Sequence, residues 1–226
     1  MLDRFVIALD GPSATGKGTC GRELARRLAC LFVDTGAMYR TLTWHCLELK
    51  LIRVAPEHGL NHEERERVIA AVATWEPQLE VVDAAIRLTV GGHFPEKEIR
   101  GPEVSNTVAH VSPLVGVRVP LVRLQRRCLE FGSLVMDGRD IGTQVFPETP
   151  FKFFITASAD VARQRRRAEG ADDDTDRRNE LDRKRQFAPM VPAVDAIQID
   201  NSHESPAVTV EFMLTEIERL RREHGL

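Results

Sequence analysis

The segment GPSATGKGT at residues 11–19 places the tightest constraint on how this 226-residue chain folds. It nearly matches the phosphate-binding P-loop pattern G-x-x-x-x-G-K-[ST], but a glycine occupies the position of the serine or threonine. In such a loop the backbone N–H groups surround phosphate oxygens, while the lysine and the following helix N-terminus supply positive charge. The apolar run RFVIAL precedes the segment, and KGTCGRELARRLACL follows it with leucines at helical spacing. The order strand, glycine loop, helix therefore predicts a P-loop rather than a chance turn, formed by Gly11, Pro12, Ser13, Ala14, Thr15, Gly16, Lys17, Gly18 and Thr19.

Four more short apolar runs indicate strands: LFVD (31–34), LVMD (134–137), FKFFIT (151–156) and DAIQID (195–200). Because helical patterns separate these runs, the sequence predicts an α/β fold with a five-stranded parallel sheet flanked by helices. Ligands of such sheets bind at the carboxyl ends of the strands. The glycine loop, DTG (34–36) and DGRD (137–140) all follow strands, so we expect the functional site at this edge.

Two segments differ in composition and hydrophobic pattern from this alternation of strands and helices. Residues from about 52 to 101 contain the charged stretch NHEERERVIAAVATW and two alternating runs, QLEVV and AIRLTV, which predict an inserted helix and hairpin. Residues from about 163 to 186 are rich in arginine, and RRRAEGADDDTD within them predicts an exposed mobile loop. In TDRRNELDRKRQFAP, Arg178, Asp182 and Arg185 fall on one helical face, although an ordinary solvated helix has the same pattern. We predict one domain, 1–226, with 52–101 as an insertion and 163–186 as a lid.

Composition excludes several other classes of protein. The net charge of −3 argues against a duplex nucleic-acid partner. The four cysteines form no C-x-x-C pair, and the histidines show no ligand spacing, so a reduced compartment and no metal frame are expected. The N-terminal apolar run is too short for a signal peptide, and no stretch approaches a membrane span. We therefore expect a cytoplasmic protein with no membrane or nucleic-acid partner.

The glycine after Lys17 limits which classes of P-loop protein the sequence resembles. In switch GTPases and motor ATPases a serine or threonine directly after the lysine ligates Mg²⁺. Gly-Lys-Gly-Thr is instead similar to the loop of nucleoside monophosphate kinases, and the chain lacks N-K-x-D and D-x-x-G motifs. Transfer between two anionic nucleotides also requires cations on both phosphates, and arginines lie beside turn glycines or in clusters.

Five stretches in order along the chain resemble the bacterial cytidylate kinase family: IALDGPSATGKGT, VDTGAMYR, VRVPLVRLQR, VMDGRDIGTQVFP and RNELDRKRQFAP with PAVDAIQIDNS. The resemblance covers nearly the whole chain, and DGRDIGT and DTGAMYR are more specific than the P-loop alone. It implies a P-loop kinase fold with a monophosphate-binding insertion and a lid. It also implies transfer of the γ-phosphoryl group of ATP to CMP or dCMP. Mg²⁺ would be carried by ATP without a direct protein ligand, and we expect a monomer.

The resemblance also implies a role for each matching residue. The P-loop residues would hold the ATP phosphates, with Lys17 as the main charge, and Arg40, Arg139 and Arg185 would hold the CMP phosphate and the transferring group. Arg118 and Asp140 would read the cytosine edge. Arg178 and Asp182 would bind the ribose hydroxyls, and Thr35 and Tyr39 would line the acceptor pocket. Asp34 and Asp137 fit either as cap residues or as water-mediated contacts to Mg²⁺.

Two departures from the family pattern and two alternatives accompany this interpretation. The family often has a serine nine residues before the base-reading arginine, where this chain has Ala109, and Ser112 is the neighbour that could replace it. The segment between Arg167 and Arg178 is also short, which predicts a compact lid. One alternative is a P-loop kinase of another small acceptor, such as UMP or a small metabolite. The other is a nucleotide-switched regulatory protein, against which the missing switch motifs weigh.

Overall fold

The computed structural model describes residues 4–54, 59–168, 175–185 and 187–225, with side chains omitted for 175–178. Its seven strands are β1 Val6–Asp10, β2 Leu31–Asp34, β3 Gln78–Val82, β4 Ala85–Thr89, β5 Leu134–Asp137, β6 Phe151–Thr156 and β7 Ile197–Asp200. Its α-helices are α1 Lys17–Arg27, α2 Thr35–Glu48, α3 His62–Ala73, α4 Pro102–Val111, α5 Val115–Arg127, α6 Ala159–Ala168, α7 Thr175–Arg183 and α8 Pro206–His224. Shorter helical turns are the 3₁₀ segments Glu98–Arg100 and Cys128–Phe131 and the π-helical turn Ile141–Val145.

All described strands form one sheet in the order β3-β4-β2-β5-β1-β6-β7. The five strands expected from the sequence are parallel neighbours, with β1 at the centre between β5 and β6. The α/β fold is therefore confirmed, although the strand count of five is too low. Because β2 and β5 align so that Asp34 lies beside Asp137, the residues that end these strands meet at one edge.

The additional strands come from the hairpin of the 52–101 segment. β3 and β4 pair antiparallel, and the turn residues Asp83 and Ala84 both have positive φ, as a two-residue type I′ turn requires. β4 also pairs parallel to β2 through Ala85 and Ile86, which adds the hairpin to the edge of the main sheet. The segment is thus continuous with the sheet instead of standing apart from it.

Apolar residues fill both faces of the sheet, as expected for parallel strands covered by helices. On one face, Val33, Leu134 and Met136 pack with residues of α2 to α5. On the other face, Ile7, Leu9 and other strand residues pack against α1 and α8. Both β1 and β5 therefore hold the loops that follow them on a rigid support.

Three local expectations need correction. Helix α1 ends at Arg27, because Ala29 has a φ of 52° and the chain turns directly into β2. The first residues of RRRAEGADDDTD belong to α6, where an acidic first turn and an arginine-rich last turn complement the helix dipole. Residues 169–174 of the expected mobile loop lie outside the described residues. Arg185 lies beyond the end of α7, so it does not continue the helical face that Asp182 occupies.

Within the described residues, none of the helices combines the length and the apolar character that crossing a membrane would require.

Candidate active site

A cleft of about 280 Å³ opens where β1, β2 and β5 end. It brings together residues that are far apart in sequence, from the glycine loop, the start of α2, α5, the DGRD segment, and α7 with the residues that follow it. Its lining includes Ser13, Ala14, Thr15, Gly16, Lys17, Gly18, Thr19, Thr35, Tyr39, Arg40, Arg118, Arg139, Asp140, Asp182 and Arg185. The sequence predicted each of these as a site residue.

The glycine loop has the geometry of an anion-binding turn. A side chain at Gly11, whose φ is 137°, would place its Cβ only 2.1 Å from the carbonyl oxygen of Ile155. Gly16 adopts a left-handed conformation directly before α1, and among the described residues no side chain caps this helix terminus. Its first-turn N–H groups therefore point into the cleft with the positive end of the helix dipole.

Lys17 supplies the positive charge of the loop. Its Nζ donates to the Pro12 carbonyl at 2.6 Å and lies 3.8 Å from Asp137 Oδ1. Burial lowers the pKa of this ammonium group to about 8, and Asp137 opposes that shift. A phosphate placed here would restore the lost solvation, because it offers hydrogen bonds and negative charge to a buried cation.

Gly18, the departure from the P-loop pattern, faces a carboxylate. A Cβ at this position would lie 3.3 Å from Asp137 Oδ2. A serine there would press against Asp137, so the glycine leaves room for this carboxylate beside the lysine. Thr35 helps to fix the same strand end, because its Oγ1 donates to the Asp137 carbonyl at 2.8 Å.

Two carboxylates share the floor of the cleft. Asp34 caps α2 by accepting from the Ala37 N–H at 2.9 Å, which agrees with the cap role considered for it. Burial raises the pKa of the Asp137 carboxyl; Lys17 opposes the rise and the neighbouring Asp34 adds to it. Paired carboxylate oxygens are the ligands that hard divalent cations prefer, directly or through water.

A buried ion pair occupies the other end of the cleft. Arg118 from α5 bonds to Asp140 of the DGRD segment, and the two side chains are 1% and 7% exposed. The Arg118 guanidinium also lies 5.4 Å from the ring centre of Tyr39, whose pKa burial raises to about 12. Within the described residues, the buried Nε of Arg118 has no hydrogen-bond partner.

A second group of arginines surrounds Asp182. Arg139 donates from Nε to Asp182 Oδ2 at 2.9 Å and from Nη1 to the Gly11 carbonyl at 2.7 Å. Arg185 bonds to the other oxygen of Asp182, and its Nη2 donates to Ser112 Oγ at 3.1 Å. Asp182 therefore joins two of the predicted phosphate-binding arginines. Its predicted contact with ribose hydroxyls stays a prediction.

Arg40 completes the set of cations. Burial lowers the pKa of its guanidinium, Asp34 opposes the shift, and the nearby Arg139 and Arg100 add to it. Several arginines converging on one partly buried space create a positive potential that suits phosphate groups.

Some predicted residues lie elsewhere. Gly11 and Pro12 lie behind the cleft lining, where their carbonyls hold Arg139 and Lys17. Arg178 belongs to α7, but its side chain lies outside the described residues. Ser112 lines the cleft and Ala109 does not, so Ser112 is the neighbouring hydroxyl available to a bound base.

Sequence reasoning missed three charged residues around the cleft. Arg22 and Arg100 line it, and Asp10 accepts from the backbone N–H groups of Ile141 and Gly142, the two residues that directly follow the DGRD segment. Arg100 precedes Gly101 as Arg139 follows Gly138, so an arginine beside a turn glycine was the available signal. Asp10 ends an apolar run directly before Gly11, as Asp137 does before Gly138, so its position at a strand end was a signal that was not assigned a role. Arg22 carried no comparable signal.

A parallel sheet with a P-loop after its central strand, facing converging arginines, defines an α/β phosphate-binding protein of the P-loop class. Comparison with known proteins is more specific: the model of the family described as Cytidylate kinase matches residues 7–219. A cytidylate kinase of Corynebacterium glutamicum is 41% identical over 88% of this chain and 87% of its own length. One of Desulforamulus reducens is 37% identical over 97% of this chain and 99% of its own. The chain belongs to the cytidylate kinase family.

Proposed function

We propose that this protein transfers the γ-phosphoryl group of ATP to CMP or dCMP, giving ADP and CDP or dCDP. One observation carries the proposal: the P-loop and the buried Arg118–Asp140 pair lie in one cleft, with arginines between them. A phosphate-binding loop alone would support any P-loop phosphotransferase. A charged pair able to recognise a base, in the same cleft, supports a second nucleotide as the acceptor.

The donor end binds the triphosphate. The N–H groups of the loop and of the N-terminus of α1 would donate hydrogen bonds to the oxygens of the β- and γ-phosphates, and Lys17 would neutralise their outer oxygens. Ser13 is positioned by a hydrogen bond from its N–H to Asn179 Oδ1 of α7 at 3.0 Å. This contact links the P-loop to the segment predicted as the lid, so we expect ATP binding to affect the position of α7.

The acceptor end would recognise cytosine through its exocyclic amine. An amine donates where uracil has a carbonyl oxygen, so the Asp140 carboxylate accepts from cytosine and repels uracil. Arg118 holds that carboxylate in place and offers donors to the ring nitrogen and carbonyl of the base. The buried Nε of Arg118 has no partner in the part of the chain that the structure describes, which agrees with a polar ligand on this side. Tyr39 and Thr35 would form the walls of the pocket.

Between the two ends, Arg40, Arg139 and Arg185 would hold the acceptor phosphate and the transferring group. Phosphoryl transfer depends on in-line positioning and on neutralising charge, so we assign no protein nucleophile and no dedicated base. Asp182 fixes the guanidinium planes of Arg139 and Arg185 before substrates arrive. The arginines therefore need little reorganisation when the phosphates bind.

The donor set also fits Mg²⁺ bound with ATP. Asp34 and Asp137 are partners in the register of β2 and β5 and both line the cleft, and Asp137 lies 3.8 Å from Lys17 Nζ. The raised pKa of Asp137 reflects a buried environment that a cation would relieve. These two residues would hold the ion through its water ligands. When bound, Mg²⁺ supplies charge neutralisation on the β- and γ-phosphates.

The predicted division of the chain forms part of the proposal. Residues 52–101 would serve as the monophosphate-binding subdomain and 163–186 as the lid of a monomeric, cytoplasmic enzyme. Arg185 already reaches Ser112 at the end of α4, which supports a lid that touches the acceptor side.

Initial rates of ADP formation with CMP, dCMP, UMP, AMP or GMP as the acceptor test the proposal. We expect turnover with CMP and dCMP well above that with UMP. Comparable UMP turnover would indicate that Ala109 relaxes the base pocket. ADP formation that no monophosphate stimulates would contradict the nucleotide-kinase assignment and favour the regulatory or metabolite-kinase alternatives.

A further inference from the structure

The carboxylate of Asp10 makes an unusual long-range cap. Asp10 is the last residue of β1 and is buried. Its two oxygens accept from the Ile141 N–H at 2.8 Å and the Gly142 N–H at 2.7 Å. Those N–H groups are the first two of the π-helical turn Ile141–Val145, so a residue of the central strand caps a helical turn that follows the neighbouring strand.

Asp140 precedes the same turn and would ordinarily cap it. An aspartate at an N-cap accepts from the second or third N–H of its own helix, with substantial gain in stability. Here Asp140 makes no such bond, and its backbone has φ −150° and ψ 29°. Asp10 occupies the N–H of Gly142, one of the two N–H groups that an Asp140 cap could use, and the Asp140 carboxylate instead extends into the cleft and bonds to Arg118.

We propose that Asp10 is a positioning residue for base recognition: by capping Ile141 and Gly142, it keeps the Asp140 carboxylate available to Arg118 and to cytosine. The inference rests on the proposed function, because it assigns Asp10 to the acceptor half of that site. It does not follow from the position of Asp10 in sequence, which is directly before the P-loop.

A competing role for Asp10 is to support the P-loop. It borders Gly11, whose carbonyl accepts from Arg139 at 2.7 Å, and its charge acts on Lys17. That role and the proposed one differ in the substrate they affect. Support of the P-loop would change the KM for ATP, whereas capping beside Asp140 would change the KM for CMP and the preference for CMP over UMP.

Asp10→Asn is the appropriate substitution, because it keeps the shape of the side chain. The amide oxygen can still accept one N–H, but the amide NH₂ faces the other N–H, and that hydrogen bond is lost. Leaving a buried N–H without an acceptor costs enough that we expect the KM for CMP to rise about 10-fold. The ratio of kcat/KM for CMP to that for UMP should fall by a similar factor, while the KM for ATP stays within about 2-fold.

The KM for CMP and the ratio of kcat/KM for CMP to that for UMP do not depend on the concentration of active enzyme. Both readouts are therefore independent of how much of the preparation is folded. Thr149→Val is a matched control: its buried hydroxyl bonds to the carbonyl of Val6 on the same strand, away from the cleft. It should leave both readouts unchanged. A double-mutant cycle with Asp140→Ala tests the route of the effect, because Asp10→Asn should add little to the KM for CMP once Asp140 is absent.

The outcomes are distinguishable. A selective rise in the KM for CMP that disappears in the Asp140→Ala background would support the inference. Two results would overturn the inference: equal rises in the KM for CMP and for ATP in Asp10→Asn, or additive effects of the two substitutions in the cycle. If the wild-type protein still uses CMP, either result leaves the proposed function intact. Failure of the wild-type protein to use CMP would overturn both.

Discussion

Replacing Arg118 with methionine separates the contribution of the Arg118–Asp140 pair to stability from its contribution to recognition. Both side chains are almost fully buried, so Arg118→Met leaves a carboxylate inside the protein without its cation. Breaking a buried pair in this way costs about 3–5 kcal/mol in the free energy of unfolding. Arg185 lies within electrostatic range of Asp140, so we expect the lower end, about 3 kcal/mol. For a chain of this size that corresponds to a fall in Tm of about 6–12 °C.

Urea and thermal unfolding, followed by circular dichroism, measure this loss. Arg26→Met is the matched control, because Arg26 also pairs with a carboxylate, that of Glu23, but is 71% exposed. It should change Tm very little. In the double variant Arg118→Met/Asp140→Leu the buried charge is gone, so most of the stability should return while CMP turnover stays lost.

A loss in Arg118→Met as small as that in Arg26→Met would refute this reasoning, because it would mean that the pair is open to solvent. Failure of the double variant to regain stability would also contradict it, because the cost would then come from lost packing around the arginine stem instead of from the uncompensated charge.

Three further predictions concern the P-loop and the thiols. Lys17→Ala should lower kcat by about 1000-fold or more while circular dichroism shows an intact fold, because a charge on the transferring group is lost; near-normal turnover would remove the P-loop assignment. The ammonium group of Lys17, with its pKa lowered to about 8, is charged below that pH and neutral above it. The value of kcat/KM for ATP should therefore fall as pH rises through about 8, and a flat profile over this range would contradict the buried environment. All four thiols, those of Cys20, Cys30, Cys46 and Cys128, are buried, and burial raises their pKa. A disulfide reagent should therefore label none of them quickly in the native protein and all of them in denaturant. Rapid labelling of the native protein would contradict the described packing.

Local sequence patterns predicted much of the fold because its strands are short apolar runs with clear boundaries. They did not predict where the hairpin pairs. Alternation in QLEVV and AIRLTV indicates two strands, but the pairing of Ala85 with Phe32 joins segments far apart in the chain. Such pairing depends on which edge is free in the folded sheet. Helix α6 was missed for another reason: only Ala162 is buried on it, so it lacks the apolar period that identifies a helix.

The candidate site likewise has a part that local sequence patterns predict and a part that they do not. Residues in motifs, such as Lys17 and Asp140, could be predicted because a loop and a turn have recognisable local chemistry. The contacts that give them their environment could not, because they join distant segments. Asp10 reaches Ile141 across the sheet, and Asp182 holds Arg139 from α7. Side chains that act on other site residues from neighbouring elements leave no pattern in the local sequence.

The destination of the γ-phosphoryl group tests the central claim most directly. ATP labelled at the γ-phosphorus, incubated with Mg²⁺ and CMP, should yield labelled CDP in equal amount to ADP, with little free phosphate. The Asp140→Ala variant should lose this product at CMP concentrations that saturate the wild-type enzyme. Label recovered as free phosphate, or ATP consumption unaffected by CMP, would contradict direct transfer to a cytosine nucleotide in this cleft.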